Sequence, residues 1–293
     1  MLKKLAAINA LVLSFGVASA DEEHRSIDAH AEGSVSISNV AGSVEVTGWS
    51  RDEVDVEADL GRGVEELIVE RDEDDVVIRV KVPRDNARNI SSDLVIRLPE
   101  NSDLEIGVVS ADIEVENVFG EQMLHAVSGD ITTEAFGSDV SAETVSGDIE
   151  VAGDGNAIDA RFGTVSGDVD VLGVSGELDA NSVSGDLAIA EGQFERVRGK
   201  TVNGSFVFRG QLDDGGRFDA ESINGRLDVE FEGSISARFD IETFNGSIRN
   251  CFGPDSKRTS RYAPGRELKF TEGSGESRVS LNTLNGSVIL CKD

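Results

Sequence analysis

Histidine is nearly missing from this chain, and with it goes the commonest general acid or base near neutral pH. Only His24, His30 and His125 occur in 293 residues; the first two lie near the N-terminus and His125 stands alone, which reads as a surface position. There is no phosphate-binding glycine loop, zinc-ligand spacing or Gly-x-Ser-x-Gly elbow. Cysteine occurs twice, tryptophan and tyrosine once each, and proline four times. After the first twenty residues charged side chains interrupt every apolar stretch, so no membrane-spanning helix is expected. Basic residues are outnumbered 27 to 56 by acidic ones, a formal charge of -29. Such a chain is repelled by nucleic acid and by anionic membrane surfaces. Cations, basic proteins and neutral glycans remain as partners, unless the charge serves only to keep a β-rich protein soluble and its sheet edges unpaired.

What is plentiful is glycine, 32 residues, with valine and isoleucine throughout, a mixture that favours short strands and many turns. The first twenty residues form a secretory signal pattern: Lys3 and Lys4, an apolar run from Leu5 to Val17, then Ala18-Ser19-Ala20. The mature chain is expected to begin at Asp21 as an exported periplasmic or cell-surface protein. No cysteine follows the cleavage site, so a lipoprotein is not expected.

One unit organises the rest: apolar, Ser or Asn, Gly, polar, apolar, polar, apolar. It occurs as Val127-Ser128-Gly129-Asp130-Ile131 and again at glycines 147, 167 and 185, then with Asn for Ser at glycines 204, 225, 246 and 286. Looser copies lie at Gly42 and Ala111. From position 111 to 246 the spacings are 18, 18, 20, 18, 19, 21 and 21 residues. An alternating stretch precedes each copy, such as Glu177-Leu178-Asp179-Ala180-Asn181-Ser182, and the alternation slips by one across the glycine, which places a corner there. Glycine suits such a corner through its access to positive φ.

This pattern predicts an all-β chain, a single β-solenoid over 21–293 with one coil of about 18–21 residues per copy, stacked about 4.8 Å apart. Residues 33–110 would supply an N-terminal coil and capping strands, 111–250 the regular coils, and 251–293 a C-terminal coil with an insertion. Leu67-Ile68-Val69 and Val76 to Val80 flank an acidic turn and read as a capping hairpin. Equivalent positions should align in ranks, among them Val127, Val145, Val165, Val183, Val202, Ile223, Phe244 and Leu284, and Asn203, Asn224, Asn245 and Asn285, whose amides can bond along the stack. Cys251 and Cys291 each follow a glycine by five residues. In adjacent coils they would be within disulfide reach, and two coils apart they would not, so adjacent coils joined by a disulfide are expected.

Two further ranks bear on chemistry. Asp112, Asp130, Asp148, Asp168 and Asp186 repeat at one position, and a calcium ladder on Asp130, Asp148, Asp168 and Asp186 is one expectation. The other is that each Asp bonds its own turn and points into water; the repeat lacks the Gly-Gly-x-Gly-x-Asp pattern of calcium-binding β-rolls. Thr144, Thr164, Ser182, Thr201, Ser222, Thr243 and Thr283 lie beside the corner, where an inward or turn-bonding hydroxyl accounts for them.

The repeated Val-Ser-Gly-Asp and Thr-x-Asn-Gly units after a signal pattern, with Val44-Glu45-Val46-Thr47-Gly48-Trp49 and the ending Thr283-Leu284-Asn285-Gly286, resemble the bacterial putative-adhesin family of domains of unknown function, number 4097 in that series. The resemblance covers nearly all of the mature chain. It implies a β-solenoid of the cell envelope and supplies no catalytic or cofactor residues. The function expected is therefore non-catalytic: an adhesin or binding scaffold that presents an acidic solenoid surface to an envelope protein or glycan. The alternatives are a polysaccharide-acting β-helix enzyme, with two of the many carboxylates paired, and a periplasmic structural or regulatory scaffold.

Overall fold

Alternation along the strands divides them into an inward and an outward side. In Ala157–Ser166 the side chains of Ile158, Ala160, Phe162 and Thr164 are buried and Arg161 is exposed; past Gly167, Val169 and Val171 are buried while Asp170 and Leu172 face out. Each coil therefore makes two strands whose apolar sides face each other across a corner. The computed structural model describes residues 21–84, 88–260 and 264–292, and none of the described residues is helical. The signal pattern of residues 1–20 lies outside them.

Stacking joins these strands into two walls. In the first, Ala157–Ser166 pairs in parallel with Val140–Ser146 on one side and Ser175–Ser184 on the other. In the second, Val169–Leu172 pairs with Ile149–Gly153 and with the start of Leu187–Asn203. The core fills the space between the walls. It is aliphatic in the early coils apart from Phe162 and aromatic from Phe194 onward, where Phe194, Phe206, Phe208, Phe218 and Phe231 are fully buried and neighbouring rings lie 4.7–5.9 Å apart. Each such ring contributes roughly 1.5–3 kcal/mol by burial. Gly199 makes room for them: a Cβ there would lie 2.1 Å from the Phe206 ring.

Antiparallel strands close the N-terminal end. Ser34–Trp49 runs through both walls beside Asp103–Glu116. Beyond it the first wall continues with Asp75–Lys81 and then, antiparallel, Glu66–Asp72. The second wall continues with Ser92–Pro99, Glu53–Leu60 and Asp21–Asp28.

At the other end, stacking order departs from sequence order. Ser277–Asn285 lies between residues 217–224 and Ala237–Asn245, with parallel pairing on both sides. Val288–Lys292 likewise lies between Leu227–Phe231 and Ile248–Asn250. The last coil of the chain thus fills a level that residues 232–236 step over, and the preceding coil is the outermost one. Arg266–Thr271 covers that outermost coil by antiparallel pairing with Ala237–Asn245, and Phe270 stacks on Phe239 at 4.5 Å. Cys251 and Cys291 are in adjacent coils and form a disulfide, with Cα atoms 4.8 Å apart.

Candidate functional site: the glycine corner

The corner repeats with the same hydrogen bonds from coil to coil. Close approach requires its glycines throughout, and positive φ, the reason inferred from sequence, adds to it only in the first corners, at Gly42 (φ 116°) and Gly129 (φ 159°). Glycines 147, 167, 185, 204, 225, 246 and 286 all lie outside the left-handed region. At each of them a Cβ would fall 1.7–2.0 Å from the carbonyl oxygen of the glycine one coil away, so any side chain would force the coils apart. The hydroxyl two residues before the Ser or Asn points inward and donates to that same rank of carbonyls: Thr164 to Gly147 at 3.1 Å, Thr201 to Gly185 at 3.0 Å, Thr243 to Gly286 at 3.0 Å. Amides bond along the stack in the later coils, Asn224 to Asn203 at 2.9 Å and Asn285 to Asn224 at 3.0 Å.

The aspartate rank is a ladder of hydrogen bonds between coils. Oδ1 of Asp112, Asp130, Asp148 and Asp168 accepts the backbone N–H of Asp130, Asp148, Asp168 and Asp186 respectively, at 3.0 to 2.7 Å, and Asp186 accepts that of Ser205 at 2.6 Å. The bond goes to the next coil and not to the residue's own turn, as the parallel register demands. Among the described residues no group of three or more His, Cys, Asp or Glu side chains is placed to hold a metal ion.

Sequence reading aligned the apolar rank but did not draw its orientation. Because the preceding Thr or Ser is buried, the next residue faces out. Val109, Val127, Val145, Val165, Val183, Ile223, Leu284 and Phe244 are 43–61% exposed and Val202 is half-buried. In spatial order they form one ridge about 38 Å long at about 4.8 Å per coil. Contiguous exposed apolar surface on this scale marks an interaction site more often than isolated exposed residues do. In the later coils the ridge borders a groove of about 680 Å3 lined by Val183, Val202, Ile223, Leu284 and Phe244, with Lys200, Glu221 and Glu242 along it and Thr259 and Gly265 at its end.

Residues 26–290 match the Toastrack DUF4097 family. The chain belongs to that family. Among solved structures it is similar to a putative adhesin from Bacteroides fragilis NCTC 9343 (9% identity, 93% of this chain and 98% of that one, TM-score 0.47) and to a putative lipid binding protein from Parabacteroides distasonis ATCC 8503 (12% identity, 93% and 97%, TM-score 0.46). A putative cell adhesion protein from Clostridium sporogenes ATCC 15579 aligns at 11% identity over 93% of this chain and 99% of that one, with a TM-score of 0.25. None of the curated proteins compared matches.

Charge is distributed unevenly over this Toastrack chain. In the later coils acidic residues on the outer face of the first wall have cationic partners: Glu177 with Arg196 at 3.2 Å, Glu221 with Lys200 at 3.0 Å, Glu242 with Lys269 at 3.2 Å. Between Arg97 and Arg161 the sequence has no lysine or arginine. There, Asp112, Asp130 and Asp148 of the ladder and Glu114, Glu116, Glu134 and Glu150 on the adjoining second wall make no ion pair with any described residue. Asp168, Asp170 and Asp186 continue the same unpaired field. Its effect reaches Asp170, whose carboxyl is raised above the ordinary range by burial first, then by Asp168, Asp148 and Asp186.

His125 shares the outer face of its strand with the ridge residue Val127, two positions on. His125 is partly exposed on the first wall, 3.8 Å from Glu143. His24 joins Asp55, which also receives Arg97 at 3.1 Å, in a cross-strand network near the N-terminal end. There Arg97, paired with Glu57 at 2.8 Å, has its pKa raised, chiefly by that hydrogen bond.

Proposed function

We propose that this protein is a non-catalytic, exported cell-envelope binding scaffold that engages its partner, a protein or a glycan, along the glycine-corner ridge. The observation that carries the reading is the line of nine apolar side chains on the outside of a wall whose alternation turns most other apolar groups, Met123 excepted, inward. A solvent-facing rank needs no valine, isoleucine, leucine or phenylalanine for folding, since the fold is already supported by the buried ranks on either side of the corner. In this reading the antiparallel strands at both ends are caps that keep the stack from associating end to end. The aspartate ladder is structural in its Oδ1 bonds and electrostatic in its charge. Export rests on the N-terminal signal pattern.

The test is comparative capture from envelope extract. Wild-type protein and an outer-face control, Leu172→Thr on the second wall, should retain the same bound material, and the triple variant Val165→Thr/Val183→Thr/Ile223→Thr should lose it. Equal capture by the triple variant would remove the ridge from the function.

A further inference from the structure

We propose that the ridge accepts a cationic amphipathic polypeptide segment, its apolar side chains on the valines and its lysines or arginines against the aspartate ladder. The proposal rests on the ridge being the binding surface and names what binds there.

Two strips run side by side along the stack. In each middle coil the ridge residue and the ladder residue are three positions apart across one corner: Val145 and Asp148, Val165 and Asp168, Val183 and Asp186. The valines are 43–47% exposed, and the aspartates are exposed and make no ion pair with a described residue. One oxygen of each carboxylate holds the next coil's backbone, yet the negative charge itself is met by no cation among the described residues. A ligand that covered the ridge with apolar groups alone would leave a row of like charges desolvated at its edge, at a cost that rises as water is excluded. A ligand with cations beside its apolar stripe relieves that repulsion instead.

The spacing fits a polypeptide. Coils recur about every 4.8 Å, and turns of an α-helix about every 5.4 Å, so apolar groups on successive helical turns meet successive ridge residues over four or five coils. Farther along, the groove beside Ile223, Leu284 and Phe244 has room for bulkier side chains. A second copy of this chain would bring two unpaired acidic strips together, and an anionic lipid surface would be repelled in the same way. A ridge one residue wide also offers little to a flat neutral bilayer.

The experiment uses the mature full-length protein and a labelled 14-residue peptide of leucine and lysine, patterned as an amphipathic helix, read by fluorescence anisotropy at 0.15 M salt. A scrambled peptide of the same composition should bind about tenfold more weakly or worse, and so should the amphipathic peptide to Asp148→Asn/Asp168→Asn/Asp186→Asn or to Val145→Thr/Val165→Thr/Val183→Thr. The variant Val145→Leu/Val165→Leu/Val183→Leu, which keeps the ridge apolar, should retain binding, and circular dichroism melts establish that each variant is folded. Equal binding of the scrambled peptide, or of the threonine variant, would reduce the effect to charge adsorption and overturn the proposal. So would binding of neutral phosphatidylcholine vesicles in place of the peptide. Absence of peptide binding, with ridge variants still losing capture from envelope extract, would refute this partner class while leaving the ridge as the functional surface.

Discussion

Cys251 and Cys291 are 40 residues apart in the chain and 4.8 Å apart at their Cα atoms, bonded across two coils that stack in the reverse of their sequence order. The bond ties the chain's final strand to the outermost coil. For a closed loop of this length the chain-entropy estimate is roughly 4 kcal/mol of stabilisation. Urea unfolding of Cys251→Ala/Cys291→Ala should show a loss of about 2–4 kcal/mol against the oxidised protein; a change within 0.5 kcal/mol, of the size ordinary surface substitutions give, would mean that coil packing alone holds this end.

The intercalated coil supports both of its neighbours. Removing residues 277–292 in a Cys251→Ala background should unpair Ala237–Asn245 and Ile248–Asn250 on their inner side. Because a stacked repeat interacts only with its neighbours, the middle coils should survive. Hydrogen exchange read by mass spectrometry should show residues 237–250 unprotected and 127–190 still protected. Protection of 237–250 in the truncated chain would contradict the stacking order.

Close approach at the corner makes a sharp contrast between two glycines. Gly185→Ala places a Cβ 1.8 Å from the Gly167 carbonyl oxygen, and should destabilise by roughly 2–4 kcal/mol by denaturant titration. Gly163→Ala on an outer face meets only the Glu143 Cγ, at 3.9 Å, and should lie within about 0.5 kcal/mol of wild type.

Substitution separates the two properties of the aspartate ladder. Asp168→Asn keeps an acceptor for the Asp186 N–H and removes one of a row of like charges, so it should melt at or above the wild-type temperature. Asp168→Ala leaves that N–H without its partner and should cost about 1 kcal/mol. Similar melting of the two variants would show that the inter-coil bond contributes nothing.

Asp170 supplies a pH dependence with a definite sign. Its folded pKa is raised above the ordinary 3.8 by burial and the neighbouring aspartates, so the folded state holds this proton more tightly than the unfolded one. The group's contribution is therefore most favourable below 3.8 and declines as pH rises through the raised folded value. Asp170→Asn should melt higher than wild type at pH 7, and the difference should shrink as pH falls toward 3.8. A difference that grows on acidification would reverse the assignment.

Much of the corner was legible from the chain itself. The slip in alternation located it, the glycine rank marked it, and equal offsets placed Cys251 beside Cys291. The inward Thr and Ser rank also follows from alternation, and the outward ridge follows from that rank by one further step. The aspartate bond was not legible, because a side chain reaches its own turn and the adjoining coil over similar distances, and only the register of parallel strands chooses between them. The main reason for glycine was hidden for a similar cause: beyond Gly42 and Gly129, where φ is positive, its constraint comes from a carbonyl one coil away and not from the local backbone.

The sequence by itself determined the position of each residue within a coil: which side chains turn inward, where the corner falls, and which ranks align. Those follow from a two-residue period and local backbone sterics. The tertiary structure alone decided that the final coil lies inside the one before it, that the strands form two facing walls, and that a strip of unpaired carboxylates runs beside the apolar ridge. Every coil presents nearly the same edge to its neighbours, so local pattern cannot encode stacking order. That order depends on how the Phe-rich interiors of particular coils fill one another's space and on whether residues 232–236 can step past a level left for residues 277–292.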